Sequence, residues 1–236
     1  MTTNDISNML RDWLYQPGKL NVRIIEADDG REIIQLRLEL GIVQMELHGR
    51  PDGVEQDGYP SLLELFRKQG TDNGLDPEMC RRLREEGVQR SHRAAALFAM
   101  SRWEDVIRDC DRSLELFDLC NQHANEEHDR DALEQFRAPV IALSTRSAAE
   151  WAISLENTTG AMAAIDEGLE ALEELLGDDC EQSNEMQLLR GMKEVLVPRL
   201  PTSERADLQE RLASAIENEN YELAAILRDE MRLLRD

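Results

Sequence analysis

The sequence predicts a mainly α protein: a small N-terminal antiparallel β region, an antiparallel helical body and a C-terminal helical hairpin. Three observations carry this. Aromatic residues are only 4% of the 236, while Leu, Ala, Glu and Arg dominate, the composition of helices packed on helices. Beyond Ser61 the apolar residues recur at helical spacing with few interruptions. Only between Asn21 and Leu47 does the apolar period fall to two, the spacing of strands. The expected division is residues 1–60 for a helix and the small sheet, 61–200 for the helical body, and 201–236 for the hairpin.

In chain order, Met9, Leu10, Trp13 and Leu14 share one helical face, and Pro17-Gly18 ends that helix. Asp28-Asp29-Gly30 is a turn between two strand-forming runs. In the second run Ile34, Leu36, Leu38 and Leu40 point one way and Gln35, Arg37 and Glu39 the other. The phase slips at Gly41, after which Val43, Met45 and Leu47 form the apolar set, so a bulge or a turn is expected there. His48 to Tyr59 is rich in Gly, Pro and Asp and reads as a connector out of the sheet, with a binding loop as the alternative. Pro60-Ser61 opens a short helix that Gly70 to Gly74 breaks. Asp76-Pro77-Glu78 is a helix start, with Asp as cap and Pro at the first helical position. That helix runs to about Met100 and the next from Trp103 to about Cys120. After a polar loop, Asn121 to Asp129, a helical stretch follows from Asp131 to Leu155, which Pro139 kinks or interrupts. Further helices are expected over Ala161–Leu176 and Asn184–Val197, before Pro198 and Pro201.

The formal net charge of −22 keeps the chain soluble, repels phosphate backbones and suits a basic partner surface. Arg81, Arg82, Arg84, Arg90 and Arg93 form a local basic run, read as balancing nearby acids on a solvated helix. Cys80, Cys110, Cys120 and Cys180 are scattered, without a C-x-x-C pair, which implies reduced structural thiols in a cytoplasmic setting. No apolar leader segment or membrane-length run is visible.

An internal repeat is visible. Val106 to Leu114 aligns with Ala164 to Leu172, each carrying a small or β-branched residue, then Ile, and Leu seven positions later. The first copy, with Ala95, Phe98, Ser101, Trp103, Val106, Ile107, Ser113 and Leu114, resembles the tetratricopeptide (TPR) pattern. It departs from that pattern in having Asp118 where a closing proline is usual. An ordinary antiparallel bundle obeys the same packing rules.

In the last segment Leu208, Leu212, Ala215 and Ile216 fall on one face of a first helix. Tyr221, Ala224, Ala225, Leu227 or Arg228, Met231 and Leu234 line the same seam from a second, with Arg228, Asp229 and Glu230 at its charged edge. A hairpin this short needs a third surface to bury its two stripes. The run Tyr221-Glu222-Leu223-Ala224-Ala225-Ile226-Leu227-Arg228-Asp229-Glu230-Met231 closely resembles the UvrB/UvrC (UVR) motif. In the B and C subunits of the bacterial excision-repair nuclease, in some Clp chaperone ATPases and in activators of protein arginine kinases, this motif is a protein–protein module. The resemblance implies partner binding through Leu208, Leu212, Ile216, Tyr221, Ala224, Ala225, Leu227, Arg228, Asp229 and Met231, with the hairpin pairing with this chain, a second copy or another protein. The strand region combined with this hairpin also resembles bacterial UVR-domain proteins without an assigned activity.

The host activities do not carry over. The chain has no phosphate-binding G-x-x-x-x-G-K-[ST] loop, no zinc-binding cysteine pairs and no nuclease signature. Cys120, His123 and His128 offer metal-ligand chemistry beside Glu126, Glu127 and Asp129, but a helix sets the two histidines on different faces and no second cysteine is near. Neither a metal nor another cofactor is expected. The reading is therefore a non-catalytic adaptor or scaffold. The alternatives are a regulatory accessory subunit of a Clp-type protease or protein arginine kinase system, and an accessory factor of nucleotide excision repair.

Overall fold

The computed structural model describes residues 5–71 and 74–196. The chain divides into two compact units, Met1–Lys193 and Glu194–Asp236. Nearly all of the second lies outside the described residues. The first unit is mostly helical, with one three-stranded antiparallel sheet at its N-terminal end.

A short helix α1 (Ser7–Asp12) precedes strands β1 (Asn21–Glu26), β2 (Glu32–Arg37) and β3 (Ile42–Glu46), joined in the order β1-β2-β3. None of α1's residues is buried; Met9 and Leu14 of the expected apolar face are exposed. Of that face, Trp13 makes a specific contact, its ring lying 4.1 Å from the guanidinium of Arg23. The phase slip at Gly41 is a turn: Leu38 and Gly41 exchange backbone hydrogen bonds, so Leu38 and Leu40 sit at an exposed hairpin corner and not in the strand. The polar face of β2 is covered too. Gln35 accepts from Arg23 Nε and Nη2 and donates to Gln44 at 3.0 Å, while Arg37 donates to the carbonyl of Trp13 at 3.0 Å and to the corner carbonyls of Glu39 and Gly41. As the central strand, β2 is therefore buried on both sides, by Ile34 towards the helices and by a satisfied polar layer on the other.

The helical body comprises α2 (Leu62–Gln69), α3 (Pro77–Ala99), α4 (Trp103–His123), α5 (Glu127–Asp131), α6 (Arg137–Ser154), α7 (Thr158–Leu176) and α8 (Asn184–Leu196). The caps follow from the residue types. Ser61 accepts from Glu64 N–H, Asp76 from Met79 N–H at 2.8 Å, and Asn157 from Gly160 N–H. Pro139 neither kinks nor interrupts α6; it falls in its first turn, where its missing N–H removes no intrahelical bond. Helix α4 runs on to His123, and α5 fills part of the expected polar loop.

Helices α3 and α4 run antiparallel: the rings of Phe98 and Trp103 meet edge-on at 5.1 Å at one end, and the Leu75–Ala124 bridge closes the other. Helix α6 runs antiparallel to α4, with Arg137 paired to Asp118 at 2.9 Å and Arg146 over Phe98 on the far side. Helix α7 then returns along α6, with Gly168 packed against Thr145.

The structure does not follow the repeat alignment of Val106–Leu114 with Ala164–Leu172; its two helix hairpins correspond in another register. The two links Met100-Ser101-Arg102 and Leu155-Glu156-Asn157 are built alike. Ser101 (φ 57°) and Glu156 (φ 58°) take left-handed conformations, and Arg102 and Asn157 N–H reach back to Leu97 and Ala152 carbonyls. This sets a shift of 55 residues, under which buried Val106, Cys110, Ser113 and Phe117 of α4 coincide with buried Ala161, Ile165, Gly168 and Leu172 of α7. Leu83, Gly87, Arg90 and Ala94 of α3 likewise coincide with Ala138, Ala142, Thr145 and Ala149 of α6. The alignment of Ile107 with Ile165 and Leu114 with Leu172 pairs partly exposed residues with fully buried ones. Burial follows the turn that starts the helix, not the Ile and Leu letters.

Candidate functional site

The side chains singled out for partner binding, Leu208, Leu212, Ile216, Tyr221, Ala224, Ala225, Leu227, Arg228, Asp229 and Met231, lie outside the described residues. What the described residues do present is a buried ionic centre where the sheet, α2, α3 and α4 meet.

Its members are Glu86, Arg90 and Arg93 on α3 and Asp109 on α4, all at most 4% exposed. Asp109 receives both arms of Arg93, Nε and Nη2 each at 2.7 Å, the bidentate geometry a guanidinium fork favours. Arg90 donates to Glu86 at 2.7 Å and stands 3.7 Å from Asp109. The outward bonds tie in the neighbouring elements. Arg93 Nη1 donates to the Glu46 carbonyl of β3 at 2.8 Å, Arg108 to the Leu47 carbonyl at 3.0 Å, and Glu86 Oε2 accepts the Leu62 N–H at the start of α2 at 2.9 Å. Buried charges without partners cost several kcal/mol each, of order, so this set is tolerated because its groups are mutually satisfied. The chemistry is that of a joint: it fixes the sheet and α2 to the α3–α4 pair.

The basic run from Arg81 to Arg93 thus divides. Arg81 pairs with Glu78 and Glu85 in solvent and Arg84 pairs with Asp129, as balancing charges do. Arg82 binds Gln56 of the connector. Arg90 and Arg93 are not on a solvated face at all. The signal for this was present: Leu83, Glu86, Arg90, Arg93 and Leu97 keep the apolar phase of α3.

The His48–Tyr59 segment turns the chain from β3 to α2. Glu46 N–H bonds Pro51, Arg50 N–H bonds Pro60, and Gln56 and Tyr59 exchange backbone bonds. Arg50 is buried beside Asp52 at 3.0 Å, and Gln89 of α3 donates to the same carboxylate.

Cys120, His123 and His128 are not brought together as ligands. Cys120 is fully buried beside Cys80, while His128 is exposed on α5. Burial, with Cys80 and Asp129 adding to it, pushes the Cys120 thiol up to about 12, away from the thiolate that a metal requires. Among the described residues no group of three or more His, Cys, Asp and Glu is arranged to hold a metal ion. Likewise, no helix among them is long and apolar enough to cross a membrane.

The UvrB/uvrC motif family matches residues 202–236, a span that contains every side chain named for partner binding. No curated protein and no solved structure matches the chain.

Proposed function

We propose that this protein is a non-catalytic adaptor or scaffold that docks a protein partner through its C-terminal UVR hairpin. The observation behind it is the match to the UvrB/uvrC motif over residues 202–236. The sequence pattern supplies the chemistry such docking needs: small Ala224 and Ala225 are residue types that permit close helix approach, Tyr221 adds an aromatic ring, and Arg228 and Asp229 add charge beside the apolar positions. The body supports a scaffold role as a TPR-like succession of helix hairpins, α3–α4 and α6–α7, although its 55-residue shift exceeds the tetratricopeptide period of about 34. The cytoplasm is the proposed setting, since the four cysteines are unpaired and three of them are buried.

The test is a capture experiment from lysate of the native host, comparing the full chain with one ended after Pro201. Partners retained only by the full chain establish the hairpin as the docking element and identify the pathway it serves. Identical captures by both chains refute the proposal.

A further inference from the structure

The outer face of α4 carries features that the ionic joint and the hairpin leave unused. Glu104, Ile107, Asp111 and Glu115 recur along it at helical spacing, and Trp151 of α6 stands across from them. Two cavities of about 520 and 460 Å³ meet along this face, sharing Glu104 and Trp151. Trp151 is 38% exposed and Leu155, one turn on, 65%. Ile107 and Trp103 are half-buried at the floor.

The charges along this groove are unevenly satisfied. Its four guanidinium groups are all engaged: Arg67 with Glu115 at 3.0 Å, Arg112 with Glu115 at 3.1 Å, Arg102 with Asp105 at 2.7 Å, and Arg108 with Asp105. Two carboxylates, Glu104 and Asp111, make no ion pair or hydrogen bond among the described residues. Seven positions apart, they lie on one side of the helix, separated by about 10.5 Å of rise. Desolvation by the surrounding side chains, reinforced by Glu115 and opposed by Arg112, holds the exposed Asp111 carboxyl above its ordinary range, a situation an added cation relieves. The aromatic side is equally open. Elsewhere in the fold guanidinium groups lie over Trp13, Phe98 and Phe117, whereas no such cation covers Trp151 among the described residues.

We infer that this groove docks a cationic, apolar segment of another protein, with an arginine or lysine over Trp151 between Glu104 and Asp111 and apolar side chains against Ile107 and Leu155. Residues 103–115 of α4 offer about 18 Å of length, enough for three turns of a partner helix. The net charge of −22 favours the encounter at long range. This inference is independent of the UVR motif.

The test uses the full chain and a synthetic amphipathic Arg/Leu helix of about twelve residues, matched to that length, together with its Glu/Leu counterpart. Binding is read from tryptophan fluorescence and calorimetry. The wild type is expected to bind the Arg/Leu peptide and not the Glu/Leu peptide. Trp151→Ala, and separately Glu104→Gln with Asp111→Asn, should each raise Kd about tenfold, within the range of a cation–π or charge contact. The control, Glu170→Gln with Glu174→Gln on the exposed face of α7, removes the same charge and should change Kd less than about twofold. The inference is overturned by equal weakening in the α7 control, which marks general attraction to an acidic protein. Binding of both peptides alike, or of neither, overturns it too. So does a wild-type dimer in sedimentation that Trp151→Ala dissociates, since a second copy then fills the groove. Because the charge variants alter only solvent-facing carboxylates, they decide the matter even if Trp151→Ala perturbs folding.

Discussion

Replacing Asp109 with leucine should be among the most damaging single changes in the helical body. The carboxylate holds both arms of Arg93 at 2.7 Å and lies 3.7 Å from Arg90 and 3.9 Å from Arg108. Its loss strands the Arg93 guanidinium, which is 1% exposed and cannot swing into solvent without breaking its bond to the Glu46 carbonyl. Removing one partner of a buried pair costs about 3–5 kcal/mol. For a unit of this size each kcal/mol is worth roughly 2–4 °C in Tm, so a fall of about 6–20 °C is expected. Arg93→Met together with Asp109→Leu should recover most of this. The pair is then replaced by apolar volume, and Arg90 keeps Glu86 at 2.7 Å. The assay is urea unfolding followed by circular dichroism, completed as a double-mutant cycle. Hydrogen exchange should show the Leu62 N–H, which Glu86 accepts, losing protection in the single variant. A cost below about 1 kcal/mol for Asp109→Leu, or a double variant as unstable as the two singles summed, refutes the reasoning that these charges are a mutually dependent joint.

Three further outcomes follow from packing and titration. Gly168→Ala places a methyl group 2.7 Å from Thr145 Cβ, and closer still to its Oγ1 and Cγ2, so the α6–α7 crossing must open. A loss of about 1–3 kcal/mol is expected, partly relieved by Thr145→Ala; an unchanged melt would show that α7 slides freely. Burial, reinforced for Cys110 by Asp109 and for Cys120 by Cys80, pushes both thiols from 9.0 up to about 12. The unfolded chain releases these protons near 9.0 and the fold retains them to about 12. Their contribution to stability is therefore complete below that window and lost as pH rises through it. Urea midpoints between pH 8 and 10.5 should fall more steeply for the wild type than for Cys110→Ala with Cys120→Ala, and parallel slopes would contradict this. In the C-terminal segment, Ala225→Leu should overpack the hairpin seam at about 1–3 kcal/mol, read from thermal melts; an unchanged melt removes Ala225 from the seam.

The sequence by itself determined what local rules govern. Period-two alternation with turn residues marked a small antiparallel sheet of two or three strands, of which the structure has three. Asp76-Pro77 and Pro60-Ser61 marked helix starts that the structure places at α3 and α2. The Tyr221–Met231 run marked a motif that the family comparison independently places in residues 202–236. These signals survive because capping, periodicity and motif spacing depend on neighbours a few residues apart.

Tertiary structure decided which neighbour covers which surface. Whether Arg90 and Arg93 are solvated depends on Asp109, Glu46 and Leu62, none of them local in sequence. Gln35 and Arg37 are buried because the Trp13 segment returns across the sheet, which alternation within one strand does not encode. The register of the repeat was set by the left-handed residues Ser101 and Glu156, whose identity carries no turn signal. An α-helix buries the face its connecting turn aims inward, so similar letters at 107 and 165 occupy different environments. For the same reason Glu104 and Asp111 look like any solvated acids in the sequence. Arg108 and Arg112 find their acids one turn away on α4 itself, but only the neighbouring helices bring Arg67 to Glu115 and stand Trp151 across from Glu104 and Asp111.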